Sequence, residues 1–264
     1  MIFTSPGEIA FRIFNYQVRW YGVFMFLAII CGVFVVLKTA KRFYEEYNED
    51  FLYDLIFILI LSGIIGARLY YVLLDFHYFI RYPLEIPAIW QGGLSIHGAI
   101  IGAVIGGALF TKKKGYHFFR TADLCTFGLV TGQIIGRWGN FFNSEAFGLP
   151  CNLPWKLYIP IESRPLNYLV YDWFHPAFLY ESVGSAVILA ILFLLKFKYS
   201  ELRAGTIFFL YLVLYSCLRI CIESVRIDSV LSFGHFHIAH IASIITLLIG
   251  IAGLIILNKQ KSNC

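Results

Sequence analysis

The chain has 264 residues, of which 59% are hydrophobic and 14% charged, and its formal net charge is +5. Soluble domains carry about 25% charged residues, so composition excludes a water-soluble globular protein and predicts a polytopic membrane protein. The basic excess is accounted for by the sidedness of the loops and gives no support for nucleic-acid binding.

In chain order, Glu8 to Val18 comes first, mixing Ile9, Ile13, Phe14 and Tyr16 with Arg12 and Gln17. It is expected to form a short helix lying in the membrane interface. Seven apolar stretches follow, at 21–37, 51–74, 92–110, 122–142, 176–195, 205–225 and 236–257. Each is near the ~20 residues that cross the hydrocarbon as a helix. The first is read as a span and not as a cleaved signal peptide, because Lys38-Thr39-Ala40-Lys41-Arg42 follows it without a small-residue cleavage site. The longest break, 143–175, is rich in Pro, Asn, Ser and Tyr and predicts a small external region between helices four and five. The fold expected is all-α: one integral membrane domain over 1–264 with about seven transmembrane helices.

Orientation follows from the basic residues. With the N-terminus outside, the cytoplasmic side receives twelve (Lys38, Lys41, Arg42, Lys112 to Lys114, Arg120, Lys196, Lys198, Arg203, Lys259 and Lys261) and the outside keeps six. The arrangement expected is therefore N-terminus outside, C-terminus in the cytoplasm. Under it, the polar residues inside the spans gather at one depth. Arg19 and Tyr21, Arg68 and Tyr71, His97, Arg137 with Asn140 and Asn143, Glu181, and Arg219 with Glu223 and Arg226 all fall at outer helix ends. Charged groups inside a membrane face protein or a water-filled cavity, so these residues predict a polar cavity open to the outer leaflet. Arg219 and Glu223 are also i,i+4 neighbours able to neutralise one another. The arginines outnumber the carboxylates, which points to an anionic guest, and arginine forks suit phosphate.

Two glycine stripes, Gly98/Gly102/Gly106 and Gly128/Gly132/Gly136, mark close helix packing. If they face each other, His97 and Arg137 meet at the outer end. Only Cys151 among the six cysteines falls in the external region, so no external disulfide pair is expected, and Cys264 ends a tail that does not fit a prenylation box. His235, His237 and His240 cluster near the last span, but no carboxylate or cysteine lies nearby in sequence and no metal is expected. The chain contains no G-x-S-x-G elbow, H-E-x-x-H or Walker A run, and no cofactor is expected.

The run Gly136-Arg137-Trp138-Gly139-Asn140-Phe141-Phe142-Asn143-Ser144-Glu145 resembles the signature of prolipoprotein diacylglyceryl transferases. So do Arg19-Trp20-Tyr21-Gly22, Gly66-Ala67-Arg68-Leu69-x-Tyr71, Gly92-Gly93-Leu94-Ser95-Ile96-His97-Gly98, His175-Pro176-Ala177-Phe178-Leu179-Tyr180-Glu181 and Arg219-x-x-x-Glu223-x-x-Arg226-x-Asp228, in family order. Phe178 stands where some members have Gln, and Ile227 where many have Pro. The resemblance implies a seven-helix enzyme of the bacterial inner membrane. It would transfer the diacylglyceryl group of phosphatidylglycerol to the lipobox cysteine of a prolipoprotein signal peptide, forming a thioether and releasing glycerol phosphate.

That chemistry needs a deprotonated thiol and a stabilised phosphate leaving group. Arg137 and Arg226 are the candidates to hold the phosphate, with Arg219 positioned by Glu223, and Arg68 a further binding candidate. Asn140 and Asn143 suit headgroup oxygens. His97 is the foremost general-base candidate because its ordinary pKa lies near working pH; Tyr21 and Glu145 remain open as proton acceptors. A transporter or flippase for an anionic lipid or solute is the alternative. Against it, no inverted repeat is evident and the polar residues are one-sided.

Overall fold

A computed structural model describes residues 3–14, 16–227, 232–233 and 236–262. Asp228, His235 and Cys264 lie outside the described residues, as does the side chain of His237. In chain order come β1 (Phe3–Thr4), β2 (Ile9–Ile13), β3 (Tyr16–Arg19), α1 (Trp20–Phe43), α2 (Glu49–Leu74), α3 (Phe76–Arg81), α4 (Ile96–Lys114) and α5 (Phe118–Phe142). Then follow β4 (Leu157–Tyr158), β5 (Trp173–Phe174), α6 (Ala177–Lys198), α7 (Thr206–Glu223), β6 (Ser232–Phe233), β7 (Phe236–His237) and α8 (Ile238–Ser262).

Among the described residues, five helices are long and apolar enough to cross a membrane: α1, α2, α6, α7 and the stretch His240–Lys259 of α8. The protein is thus a mostly helical, multi-pass membrane protein. The predicted third and fourth spans are helical too, as α4 and α5. Glycines in both, His97 and the lysine cluster in α4, and Asp123, Gln133 and Arg137 in α5 dilute their apolar character.

The chain divides into two units, Ala40–Thr121 and Met1–Thr39 with Ala122–Cys264. In the first, the Asn48 side chain accepts from Phe51 N at 2.7 Å and caps α2, with Glu49 and Asp50 in its first turn. α2 packs on α4 backbone to backbone. A Cβ on Gly66 would run into the Gly98 carbonyl and Gly102, and one on Gly106 into Ser62. Lys114 Nζ reaches Asp54 at 3.0 Å at one end of the pair. Tyr47 shares a 2.9 Å hydrogen bond with Thr121, and Arg120 pairs with Glu46 at 2.9 Å.

In the second unit, α1 and α5 close on each other at Gly32 and Gly128, where a Cβ on either would stand 2.9 or 2.7 Å from the other's carbonyl oxygen. Both glycine stripes therefore mark close packing, as the spacing predicts, but each has another partner: the α4 stripe meets α2, and Gly128 meets α1. The expectation that the stripes face each other is corrected. Spacing says that a backbone can be approached closely, not by which helix.

Three strands form a small sheet, with β1 parallel to β4 and β4 antiparallel to β5, registered Phe3↔Leu157 and Leu157↔Phe174. Behind it Phe141, Ala146, Phe147, Leu157, Ile159, Phe174 and Phe178 form a buried cluster. The stretch from Glu8 to Val18 is not a helix but the hairpin β2–β3, registered Phe11↔Val18, Arg12↔Gln17 and Ile13↔Tyr16. Alternating Phe11, Arg12 and Ile13 fit a period of two, and Phe14 turns the chain at φ 52°. The hairpin base is tied to α1 by Trp20 N donating to Glu8 O at 2.9 Å.

Candidate functional site

Arg137 sits in the last two turns of α5, Glu181 in the first turns of α6, and Tyr215, Arg219 and Glu223 follow one another at i,i+4 on α7. This spacing places the three α7 side chains on one face. The three helices meet at Glu181. One oxygen of its carboxylate pairs with Arg137 and accepts the Tyr215 hydroxyl at 2.8 Å; the other takes Arg219 Nη1 at 2.8 Å. Arg219 Nη2 in turn reaches Glu223 at 3.0 Å.

Arg137, Glu181, Arg219 and Glu223 are therefore one chain of alternating charge, neutral as a set. Both carboxylates are 1% exposed, Arg219 16% and Arg137 26%. Arg137 is thus the face that this network turns to solvent or ligand. Carboxylates at that depth need a cationic partner, and Arg219, paired with a carboxylate on each side, has its guanidinium plane fixed between Glu181 and Glu223.

The signature run continues from Arg137 into a tight, unusual turn. Arg137 Nη1 donates to Asn140 Oδ1 at 3.2 Å, and Asn140 Nδ2 and Asn143 Nδ2 donate to Glu145 at 3.3 and 3.4 Å. Ser144 and Ala146 adopt φ of 54° and 55°, on either side of the exposed Glu145. Positive φ at a residue with a Cβ costs on the order of 1–3 kcal/mol. The neighbouring chain holds the turn: Phe178 N donates to Ala146 O at 2.8 Å, Gly148 N to His175 O at 2.9 Å, and Leu149 N to Val225 O at 2.9 Å.

Gly148 forms a bridge with Arg226 and leaves no room for a Cβ against Val225. The backbone of Arg226 is thereby laid beside the end of the signature. Tyr21 packs on Gly139, where a Cβ would stand 3.0 Å from its ring, and Trp20 stacks on Phe142 with ring centroids 4.7 Å apart. Phe178, at the position where some family members have Gln, is fully buried in the apolar cluster. His175 Nδ1 and Tyr180 Oη are 3.0 Å apart, and partial burial lowers the His175 pKa.

Arg68 and His97 belong to the unit Ala40–Thr121. Arg68 is buried, and four of its N–H groups are spent on backbone carbonyls: Nε to Ile86 at 2.7 Å, Nη1 to Gly92 and Gly93 at 2.8 and 3.0 Å, and Nη2 to Glu85 at 2.6 Å. It clamps the segment leading into α4, where Gly92 and Gly93 take φ of 91° and 74°. His97 is exposed in the first turn of α4, its ring centroid 6.1 Å from that of Tyr70.

Of the sequence-derived candidates, the structure gathers Arg137, Asn140, Asn143, Glu145, Arg219 and Glu223 into one set of hydrogen bonds and ion pairs linked through Glu181, with Tyr21 and the Arg226 backbone adjoining. In the sequence Glu181 stands only as a counter-charge, and Tyr215 is not among the candidates. The stripe Tyr215/Arg219/Glu223 was the available signal, since a tyrosine one turn before a buried arginine shares its face.

The buried arginine–carboxylate network joins three helices of a multi-pass membrane protein, and Arg137 is its most exposed member. The model of one family, prolipoprotein diacylglyceryl transferase, matches residues 8–256, and the chain belongs to that family. It is 45% identical to a phosphatidylglycerol–prolipoprotein diacylglyceryl transferase of Nostoc sp., over 98% of this chain and 92% of the relative. Proteins of the same name match at 43% in Synechocystis sp. (99% and 93% covered) and at 44% in Thermotoga maritima (95% and 85% covered). These relatives support a transferase and not the transporter alternative.

Proposed function

We propose that this protein transfers the diacylglyceryl group of phosphatidylglycerol to the lipobox cysteine thiol of a prolipoprotein signal peptide. The observation that carries the reading is the Arg137–Glu181–Arg219–Glu223 network, built at the signature of a family whose members are named for that reaction. In the reaction, thiolate sulfur attacks the glycerol carbon that bears the phosphate. The C–S bond forms as the C–O bond breaks, the electron pair leaves with glycerol phosphate, and the thiol proton passes to a base.

Arg137 turns its remaining N–H groups toward the phosphate, where charge builds up on the leaving oxygen. Because Glu181 already orients the guanidinium, no reorganisation is needed as the bond breaks. Arg226 assists from beside Gly148. Asn140 and Asn143 are held by Glu145 to meet headgroup oxygens. His97 takes the thiol proton, with Glu145 and Tyr21 as the other acceptors. Arg68 acts through the backbone it clamps and not by contact with the headgroup, since four of its five N–H groups are spent on carbonyls.

In this reading the protein crosses the bacterial inner membrane seven times, α4 and α5 included, with the N-terminus outside. Residues 143–175 form an external region that guides the signal peptide. The test is incubation of purified protein with labelled phosphatidylglycerol and a lipobox peptide. A thioether adduct with an equal yield of glycerol phosphate is expected; lipid movement across a vesicle bilayer without any adduct would overturn the proposal in favour of transport.

A further inference from the structure

One helical turn further into the membrane than the ion-pair network lies a second polar layer that the reaction does not use. Gln133 precedes Arg137 by four residues on α5, and Tyr211 precedes Tyr215 by four on α7, about 6 Å along each axis. Gln133 Nε2 donates to the Tyr211 hydroxyl at 2.7 Å. Tyr211 is buried, its ring stacked on Tyr215 with centroids 5.6 Å apart.

This pair has more hydrogen-bond donors than the protein uses. With the amide as placed, the Tyr211 proton must point away from Gln133, the second Nε2 proton is unspent, and Gln133 Oε1 is buried without a partner among the described residues. If the amide is turned over, Tyr211 donates to the carboxamide oxygen and both Nε2 protons are unspent. Two donors remain in either orientation. One turn along α6 from Glu181, Ser185 is fully buried, its hydroxyl also without a partner among the described residues. It follows Ser182 by three residues and Glu181 by four, on the α6 face that Ser182 ties to α5 by donating to Ile134 O at 2.9 Å.

Buried polar groups left unmet cost about 1–3 kcal/mol each, and with the amide turned over both unmet groups of the pair are donors, which calls for an acceptor. Around it α5 loosens: every residue from Thr131 to Trp138 is part-exposed, whereas Leu124, Phe127 and Val130 are fully buried. We propose that Gln133 and Tyr211 form a subsite that donates hydrogen bonds to an acyl-ester carbonyl of the phospholipid donor while its phosphate lies at Arg137. A glycerophospholipid carries its ester carbonyls a few bonds from its phosphate, a separation that one helical turn matches. The inference rests on the transferase reading and adds which part of the lipid is recognised.

The test compares diacyl phosphatidylglycerol with its dialkyl ether analogue, which keeps the phosphate and the reacting carbon and lacks both carbonyls. Each donor is assayed on the same nanodisc preparation of wild-type protein, Tyr211→Phe and Gln133→Leu, so a change in the folded fraction cancels in the ratio. Wild type is expected to favour the ester donor about tenfold in kcat/KM, the worth of one hydrogen bond, and each variant to bring the ratio toward one. A wild-type ratio of one would mean that the layer holds only water, and a preference that survives both substitutions would place its origin elsewhere; either overturns the subsite. If wild type forms no adduct from either donor, the transferase reading fails and the subsite falls with it.

Discussion

Glu181→Gln is the most informative single substitution, because it removes one charge and almost no volume from the centre of the network. The carboxylate pairs with two guanidiniums and accepts one hydroxyl while 1% exposed. A unit-charge pair at 4 Å is worth about 4 kcal/mol gross at an effective dielectric of ~20. Breaking a buried pair by removing one partner costs about 3–5 kcal/mol net, since the remaining charge is stranded. Here Arg219 would keep Glu223, and Arg137 would lose its carboxylate partner. At about 2–4 °C per kcal/mol, melting of Glu181→Gln should fall by roughly 6–20 °C. Thermal unfolding in nanodiscs, followed by intrinsic fluorescence, measures it. Adding Arg137→Met, which removes the cation so stranded and leaves the Arg219–Glu223 pair whole, should recover part of the loss. Melting of Glu181→Gln within about 2 °C of wild type would refute the reasoning, because the network would then be a solvated surface cluster.

Arg68→Lys replaces a planar fork bonded to four carbonyls with a point charge carrying three donors. Amide hydrogen exchange over residues 85–93 should accelerate about tenfold or more, one hydrogen bond's worth per decade; unchanged protection would argue against the clamp. Gly98→Ala puts a Cβ against the Gly66 backbone and the Tyr70 side chain, so it should destabilise the α2–α4 pair by about 1–3 kcal/mol, read as a lower melting temperature. His175 has its pKa lowered by partial burial, so folding favours the neutral ring. That contribution is intact above the ordinary imidazole pKa of ~6.5 and is lost as pH falls through the lowered value. Melting should therefore drop on acidification below about pH 6.5, and His175→Asn should flatten part of that slope.

The five long apolar helices were legible because hydropathy and length speak directly to helix formation in lipid. The Arg219–Glu223 pair was legible because i,i+4 spacing fixes neighbours on one helix. What was missed depends on partners distant in sequence. Gly98 and Gly128 advertise close packing, but their partners, Gly66 and Gly32, lie on other helices. Glu181 gathers side chains from positions 137, 215 and 219, and nothing local to it distinguishes a hub from a single counter-charge. The stretch from Glu8 to Val18 holds enough apolar residues for either period. The positive φ at Phe14 and the cross-strand pairs decided for a hairpin.

The central claim is that Arg137, oriented by Glu181, carries the leaving phosphate. It is tested most directly by the initial rate of glycerol-phosphate release from phosphatidylglycerol, at saturating lipobox peptide, for Arg137→Lys against wild type. Lysine keeps the charge and loses the fork that binds Glu181 and phosphate together. Loss of a preoriented donor at the developing charge should slow release on the order of 100-fold or more, with thioether formation falling in step. Release within about twofold of wild type, against that 100-fold expectation, would contradict the account and make Arg137 a structural partner of Glu181 alone.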